Sequence, residues 1–590
     1  MQHTAPDDHW TGTLQLPRSG ASVTVTVRLP PRFPDALPKV AVAQDRLPKR
    51  LAHVDSDGTV CVVPTSNVFV DADRPVALVE EALRRATEVL DGGLLGETDA
   101  DLEAEYQAYW IPTDFVPLLS LCDGDGPARQ IAICDLTGGS KLIGRGLMAA
   151  DRAEDVAVWA DHVGSKVGST YQGLFIPVHA SVPLAAHNRG TTVMEIAQLI
   201  LRHGTPAGQQ LLRDAIERAD YPQIIVLSMP EALAGAGRRL VAVLIKRPDQ
   251  RLLKKAARGF RRGRVPAARV LSKIGREAVG RLNLQRVDLA YLGARGGATA
   301  RLAQATVAVV GVGAVGSEVA RNLAALGVGH IRMVDPDAMN PENVHRHALG
   351  MNSTGYAKVV GLTVDLWRLF PHLEVDGRGV GVEELLVDDP AYLLEADLIV
   401  LATGEETLER RLNRLLQDGP PRVHTWLEPI GIAGHAFVCG RPAGSGTVAK
   451  PARGCFECLY RPDDTFGLVN RTALTAPGQE IRRSLAGCAG TFSPFSPLDA
   501  RRTAADAAEL VARLLTGTAT PPLLVSWRGL HTEFEAAGYR LSGRASQVPP
   551  GARVEVQGSE IVRDDCPICG GRAQDHTTVQ AGGASSEVTP

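Results

Sequence analysis

The chain has 590 residues, 44% of them hydrophobic and 22% charged, with a formal net charge of −3. That length calls for several domains rather than one core. The composition is that of a globular protein, and the charge balance carries no general signature of a nucleic-acid binder. The opening MQHTAPDDHW lacks the basic-then-apolar order of a signal peptide, and no apolar run is long enough to span a bilayer. Nine cysteines are too few for a disulfide scaffold in a chain this long. The expectation is a cytoplasmic protein with no membrane anchor, whose cysteines serve as metal ligands, nucleophiles or core residues.

In chain order, residues 1–95 read as a small α+β unit. TGTLQLP and ASVTVTVRLP carry strand patterns, and RPVALVEEALRRATEVL has apolar residues at helical spacing. Cys61 stands in HVDSDGTVCVV after a polar turn; taken alone it is a small hydrophobe at a strand end. Residues 96–285 alternate strand candidates (QIAICDL, GLFIPV, QIIVLSM, RLVAVLIK) with helix candidates, the pattern of an α/β or α+β connecting domain. This stretch includes RLLKKAARGFRRGRVPAARVLSK, a basic run with the single aromatic Phe260, read as a solvated helix and linker. Base stacking would need aromatics interleaved with the cations. Cys122, Cys134 and Cys439 sit in apolar runs and read as core.

From about residue 286 the pattern becomes a βαβ unit, TVAVVGVGAVGSEVARNLAALGVGHIRMVDPD. Gly311, Gly313 and Gly316 form G-x-G-x-x-G between a strand and a helix, where glycine lets backbone amides approach a phosphate. Asp335 ends the next strand, placed to take ribose hydroxyls. This much also fits a dehydrogenase. Arg346 and Lys358 follow, and two cations at one crevice suit a reacting polyphosphate better than hydride transfer, because charge builds on a leaving pyrophosphate.

Cys455 and Cys458 in GCFECLY and Cys566 and Cys569 in DCPICGG are two C-x-x-C hooks, the ligand count of a closed structural zinc site. A redox C-x-x-C is the alternative, though it usually opens a helix in a thioredoxin-like unit. Between the hooks, Cys488 stands in a small-residue loop before a long helix pattern, a place for an exposed reactive thiol or, failing that, a packing cysteine. Residues 571–590 are small and polar and read as a disordered tail.

The string GVGAVG, VDPD, Asn343-x-x-Arg346 and Lys358, with the hooks on either side of Cys488, resembles the ubiquitin-activating superfamily that includes ThiF and MoeB. The resemblance implies a Rossmann-like adenylation domain over residues 286–570. In it Asp335 holds ribose, Asn343, Arg346 and Lys358 act around the triphosphate of ATP with magnesium, and Cys488 forms a thioester. It also implies a homodimer through this domain and an arginine lent by the partner copy, Arg286 or Arg295. One departure stands out: the family's magnesium-linked aspartate falls at Gly404 in Ala402-Thr403-Gly404-Glu405, with Glu405 the adjacent carboxylate.

Residues 1–95, through Phe33, Pro34, Pro38, His53 and Cys61, resemble the ubiquitin-conjugating fold of divergent bacterial members, with His-Pro-Asn replaced by His53-Val54-Asp55. There Cys61 is the second nucleophile. The fusion order resembles the ubiquitin-transfer-like accessory protein of bacterial CBASS antiphage systems. That resemblance implies a cGAS-like nucleotidyltransferase as the activated protein and a lysine as acceptor. A sulfur-carrier adenylyltransferase, which leaves Cys61 unexplained, and a non-catalytic scaffold remain as alternatives.

Overall fold

The computed structural model describes the chain except for residues 1, 5–8, 44–45, 56, 63–69, 106–109, 111–116, 139–144, 182–190, 219–220, 231–237, 262–264, 441–452, 482, 485–490, 531 and 571–590. Cys488 and the polar tail therefore lie outside the described residues. The chain divides into two compact units, residues 1–288 and 289–590.

The first unit begins with an antiparallel five-stranded sheet, ordered β1 (Gln2–Thr4), β2 (His9–Gln15), β3 (Ser22–Arg28), β4 (Lys39–Val42), β5 (Thr59–Val60). The β-branched alternation of β3 puts Val25 and Val27 in the core. Helix α1 (Pro75–Leu95) starts with proline at a first-turn position, where its missing N–H costs nothing, and ends on Gly96 at φ +83°. Its Ala82, Ala86 and Leu90 share one face and pack with Val25, Val40 and Leu51. Asp91 on the same helix is buried and accepts from the N–H groups of Arg18 (2.8 Å) and Ser19 (2.7 Å), pinning the β2–β3 turn. A short helix, α2 (Asp99–Ala104), follows.

The remainder of this unit is a closed barrel. Its strands are β6 (Pro117–Ser120), β7 (Arg129–Gly138), β8 (Arg145–Ala150), β9 (Ser165–Pro177), β10 (Gln223–Pro230), β11 (Arg238–Ile245) and β12 (Gly280–Arg286). They close in the order β10-β11-β12-β6-β8-β7-β9. One apolar cluster draws on all seven strands, among them Leu118, Ile133, Phe175, Leu240 and Leu282. On β11 the alternate residues Val241, Val243 and Ile245 belong instead to a second cluster, shared with helices α3 (Val193–His203), α4 (Pro206–Arg218), α5 (Gln250–Ala257) and α6 (Ala267–Ile274). Cys122 and Cys134 are buried.

The second unit is built on an eight-stranded sheet ordered β15-β14-β13-β16-β17-β18-β23-β24. Strands β13 (Thr306–Val310), β14 (His330–Val334), β15 (Glu374–Arg378), β16 (Leu398–Leu401) and β17 (Arg422–Leu427) run parallel. Strands β18 (Ala433–Cys439), β23 (Leu523–Arg528) and β24 (Arg553–Gln557) add antiparallel. Both faces of β13 are buried, Val307 and Val309 in one cluster, Ala308 and Val310 in another, as a central parallel strand requires. Helices α7 (Ala314–Ala325), α8 (Lys358–Leu369) and α9 (Pro497–Leu515) supply the first cluster, and α10 (Glu406–Leu415) contributes Leu412 to the second. The hairpins β19 (Tyr460–Asp463)–β20 (Gly467–Asn470) and β21 (Arg483–Ser484)–β22 (Thr491–Phe492) complete the unit. The chain is thus an α/β multidomain protein with a Rossmann-like C-terminal sheet. No helix among the described residues is long and apolar enough to cross a membrane.

Truncating Leu323, fully buried on α7, to alanine removes apolar contacts at the centre of the largest cluster. Leu323→Ala should lose about 2–5 kcal/mol of stability. Leu415→Ala, on a side chain 56% exposed, should stay within about 0.5 kcal/mol. Calorimetric unfolding of the full chain checks both.

Candidate active site

Strand order reverses between β14 and β16, on either side of β13, so their carboxyl ends leave a crevice at the glycine loop. Gly311 holds φ +82°, and its N–H donates to the Val334 carbonyl (2.8 Å). A Cβ on Gly311 would meet the Ala402 carbonyl oxygen at 2.7 Å, and one on Gly316 would meet the Gly311 oxygen at 1.8 Å. Gly313, the N-cap of α7, faces open space. The loop is thus closed by glycine where it touches the protein and open at the helix N-terminus, a geometry that accommodates phosphate.

Asp335, 5% exposed, accepts from Val312 N–H (2.8 Å) and Asp337 N–H (2.9 Å). Lys358, the first residue of α8, donates from Nζ to Asp337 Oδ2 (2.7 Å) and lies 3.9 Å from Asp335 Oδ1. The Asn343 carboxamide oxygen caps its own turn by accepting from Asn340 N–H (3.0 Å). Arg346 places its guanidinium 6.0 Å from the Phe495 ring centroid, in the segment that follows β22. The pairing of Arg483 with Phe492 and of Ser484 with Thr491 brings together the two ends of the stretch containing Cys488.

Several functional residues escaped the sequence reading. His347, next to Arg346, donates from Nε2 to the Val312 carbonyl (2.7 Å) and accepts at Nδ1 from Leu349 N–H (3.0 Å). Burial pushes its pKa down, so a neutral imidazole ties the turn to the glycine loop. At the end of β16, Gly404 takes φ +70° and Glu405 is exposed at the start of α10. The buried carboxyl there is Glu409. Its Oε1 accepts from Thr403 N–H (3.2 Å) and Oγ1 (3.1 Å), while Oε2 meets His424 Nδ1 at 3.0 Å. Burial pushes Glu409 up to about 8 and His424 well down, so both are neutral and Glu409 donates to the imidazole. His424 stacks on Phe456 at 4.0 Å. Adjoining Gly404 is a cavity of about 1040 Å³ whose wall includes Glu405, Trp426, Glu428, Arg471 and Arg544. Glu428 fixes that wall by accepting from Leu474 N–H and Thr475 N–H, both at 2.7 Å.

The two cysteine hooks converge. Sγ of Cys455 lies 3.7 Å from that of Cys566, Sγ of Cys458 lies 3.3 Å from that of Cys569, and all four fall within 4.8 Å of one another. Zinc–thiolate bonds of ~2.3 Å put tetrahedral sulfurs ~3.8 Å apart, so the donor set fits. Cys439 is buried in β18.

In the five-stranded domain Cys61 is exposed just past β5, and its N–H donates to the His53 carbonyl (2.7 Å). His53, at φ +60°, is gripped by Asp101 at Nε2 (3.1 Å) and Glu105 at Nδ1 (3.2 Å). Those carboxylates lie 48 and 52 residues away, beyond local motif reading. Arg286 is bound to Asp288 at 2.8 Å through both Nε and Nη2.

Residues 284–516 match the ThiF family, and residues 2–115 match the prokaryotic E2 family B. The ATP-dependent ubiquitin transferase-like protein Cap2 of Pseudomonas aeruginosa is 26% identical over 539 residues, covering 88% of this chain and 90% of that protein. Its Escherichia coli strain TW11681 namesake is 25% identical over 224 residues, 36% of each chain. The molybdopterin-synthase adenylyltransferase of Escherichia coli K12 is 30% identical over 202 residues, 33% of this chain and 73% of that one. Fold and site thus define an adenylyltransferase and transferase enzyme of the ThiF kind with an E2-like domain at its N-terminal end. The chain belongs to the CBASS-type fusions of E2-like and ThiF domains.

The neutral Glu409 makes stability depend on pH. Folded, the carboxyl keeps its proton to about pH 8, whereas an ordinary glutamate releases it near 4.5. The stabilisation is therefore complete below pH 4.5 and is lost as pH rises to 8. Glu409→Gln, permanently neutral, should flatten the fall in melting temperature between pH 5 and 8, as calorimetry in matched buffers will read.

Proposed function

We propose that this chain activates a protein C-terminal carboxylate with ATP, captures it as a thioester on Cys488, and passes it through Cys61 to a lysine amine. The observation that carries the reading is the crevice at β13, a glycine cradle with buried Asp335 and Lys358, next to the β16 end where Gly404 borders a cavity, in a chain that also exposes Cys61 on an E2-like domain. We divide the chain into a conjugating-like domain (1–95), a connecting domain (96–285), an adenylating domain (286–570) and a tail (571–590).

ATP phosphates lie on the amides from Gly311 to Gly316, Asp335 takes the ribose, and Asn343, Arg346 and Lys358 meet the triphosphate. The incoming polyphosphate competes with Asp337 for Lys358. The substrate tail enters through the adjoining cavity. Its carboxylate oxygen attacks the α-phosphorus, and pyrophosphate leaves with its charge offset by the two cations. Cys488 thiolate attacks the acyl carbon and AMP departs. Cys61 thiolate then exchanges onto the thioester, releasing Cys488, and the amine finally displaces Cys61. Magnesium accompanies ATP, with Glu405 the exposed carboxylate at the strand end where Gly404 offers none. The four clustered cysteines hold zinc, a structural role, since no ligand position stays open.

The activated protein in this reading is a cGAS-like nucleotidyltransferase, and the setting is the cytoplasm. The adenylating unit pairs with a second copy, for which the exposed apolar side chains Met351, Tyr356 and Val360 offer a surface. The engagement of Arg286 by Asp288 leaves Arg295 as the lent arginine. A sulfur-carrier adenylyltransferase would have no use for Cys61.

Losing a charge-assisted phosphate contact costs about 1.5–3 kcal/mol. Lys358→Ala should therefore slow ATP–pyrophosphate exchange at least tenfold; an unchanged rate would refute its role. On gels run with and without thiol reductant, Cys488→Ala should form adenylate but no thioester. Cys61→Ala should accumulate a reducible adduct on Cys488 and yield no conjugate. Wild-type conjugation by Cys61→Ala would reduce the N-terminal domain to a binding module. Elemental analysis should give one zinc per chain, and Cys566→Ser should lose the metal together with the stability of the C-terminal unit.

A further inference from the structure

Between Gln250 and Arg276 the sequence carries ten lysines and arginines and no acidic residue, in a chain of net charge −3. The adenylation chemistry uses none of them. Arg251, Lys254 and Lys255 on α5 and Arg258 at its C-cap fall at i, i+3, i+4 and i+7 and are all exposed, while Ala256 is buried. On α6, Arg269 is exposed and Lys273 half-buried one turn on, with Arg276 exposed just past the helix, while Val270, Leu271 and Ile274 pack inward. The run is therefore two ordered cationic stripes on neighbouring helices rather than a loose linker.

Several surface arginines elsewhere are matched by acids. Arg84 pairs with Glu81 and Glu88, Arg513 with Glu555, and Arg553 with Asp506. Among the described residues, none of the cations on α5 and α6 forms such a pair. Uncompensated like charge at helical spacing costs stability, which an anion would relieve. Among the described residues of this stretch, the only large apolar side chain exposed is Phe260, 45% exposed beside the end of α5. Protein interfaces centre on an apolar core depleted of charge, and lipid insertion needs an apolar stripe. This face has neither. Row upon row of cations with one exposed ring suits a phosphate backbone with a base to stack.

We propose that the α5–α6 face of the barrel domain docks single-stranded nucleic acid through its phosphates, without regard to base sequence. These residues belong to the first compact unit and the adenylation crevice to the second, and the test does not depend on that chemistry.

The experiment measures fluorescence anisotropy of the full chain with labelled 25-nucleotide oligo-U and oligo-dT at 50 and 200 mM salt. With four phosphate contacts, affinity should fall about 50-fold between those salts, from a slope of about −0.7 per contact. Lys254→Glu/Lys255→Glu/Arg258→Glu should weaken binding more than tenfold, and Phe260→Ala at least fivefold. Lys166→Glu, on exposed β9, should change nothing. The milder Lys254→Gln/Arg258→Gln variant, expected to weaken binding at least threefold, decides the matter if the triple variant fails to fold by calorimetry. Absence of binding at 50 mM salt, or equal binding by the folded charge variants, overturns the proposal. So does binding to vesicles with 30% phosphatidylserine but to neither oligonucleotide, which would make this face a membrane surface.

Discussion

A carboxylate withdrawn from water must find hydrogen bonds or a cation for its lone pairs, or it will not stay where the fold puts it. Asp335 meets that demand by drawing three segments to one point. Val312 of the glycine loop and Asp337 of the following turn donate their amides, and Lys358 closes in from α8. The glycine loop cannot drift from β14 without stranding this charge. His347 adds a second tie from the same turn to the same loop, and it does so as a neutral group, so neither tie adds unbalanced charge to the crevice.

The same logic of compensation shapes the neighbouring wall. Glu428 satisfies two backbone amides and His435 (2.8 Å), which holds the 474–475 segment against the sheet. Glu409 escapes the cost of buried charge by keeping its proton, and so gives the end of β16 a rigid hydrogen-bonded corner rather than an anion. The anionic groups at that corner are the exposed Glu405 and Glu406. In the E2-like domain the arrangement is inverted. His53 sits in a left-handed backbone conformation between two carboxylates, and its carbonyl receives the amide of the exposed Cys61. The polar frame there belongs to the residue that steadies the cysteine's backbone, and Cys61 itself is exposed.

Much of this was legible in the sequence, because its signals are local. The glycine spacing, the strand-ending Asp335 and the paired hooks each occupy a short stretch, and their chemistry follows from residue type and spacing. What stayed hidden depends on distant partners. Nothing around His53 announces Asp101 and Glu105, and Glu409 reads as one more acid on a charged helix until His424 and Thr403 enclose it. The middle region shows the same divide. Its strands could be picked out by alternation, but their closure requires β12 to pair in parallel with β6, more than 150 residues earlier, and β10 with β9. No pattern within one strand encodes such neighbours.

That closure bears on how copies of this chain behave toward one another. The sheets on either side of the barrel in sequence end in edge strands, β1 and β5 in one, β15 and β24 in the other. An open edge presents backbone donors and acceptors to which another strand can add, and at β5 the 53–55 turn covers part of it, with Val54 bridging Val60. The barrel has satisfied its own and offers no such template. Strand exchange and fibrous self-association, the hazards of a long β-rich chain, therefore fall to the open sheets outside the barrel, the two short hairpins included. The barrel, which lies in sequence between the E2-like and ThiF-like regions, is thus poorly suited to seed an aggregate, even where local unfolding elsewhere exposes an edge.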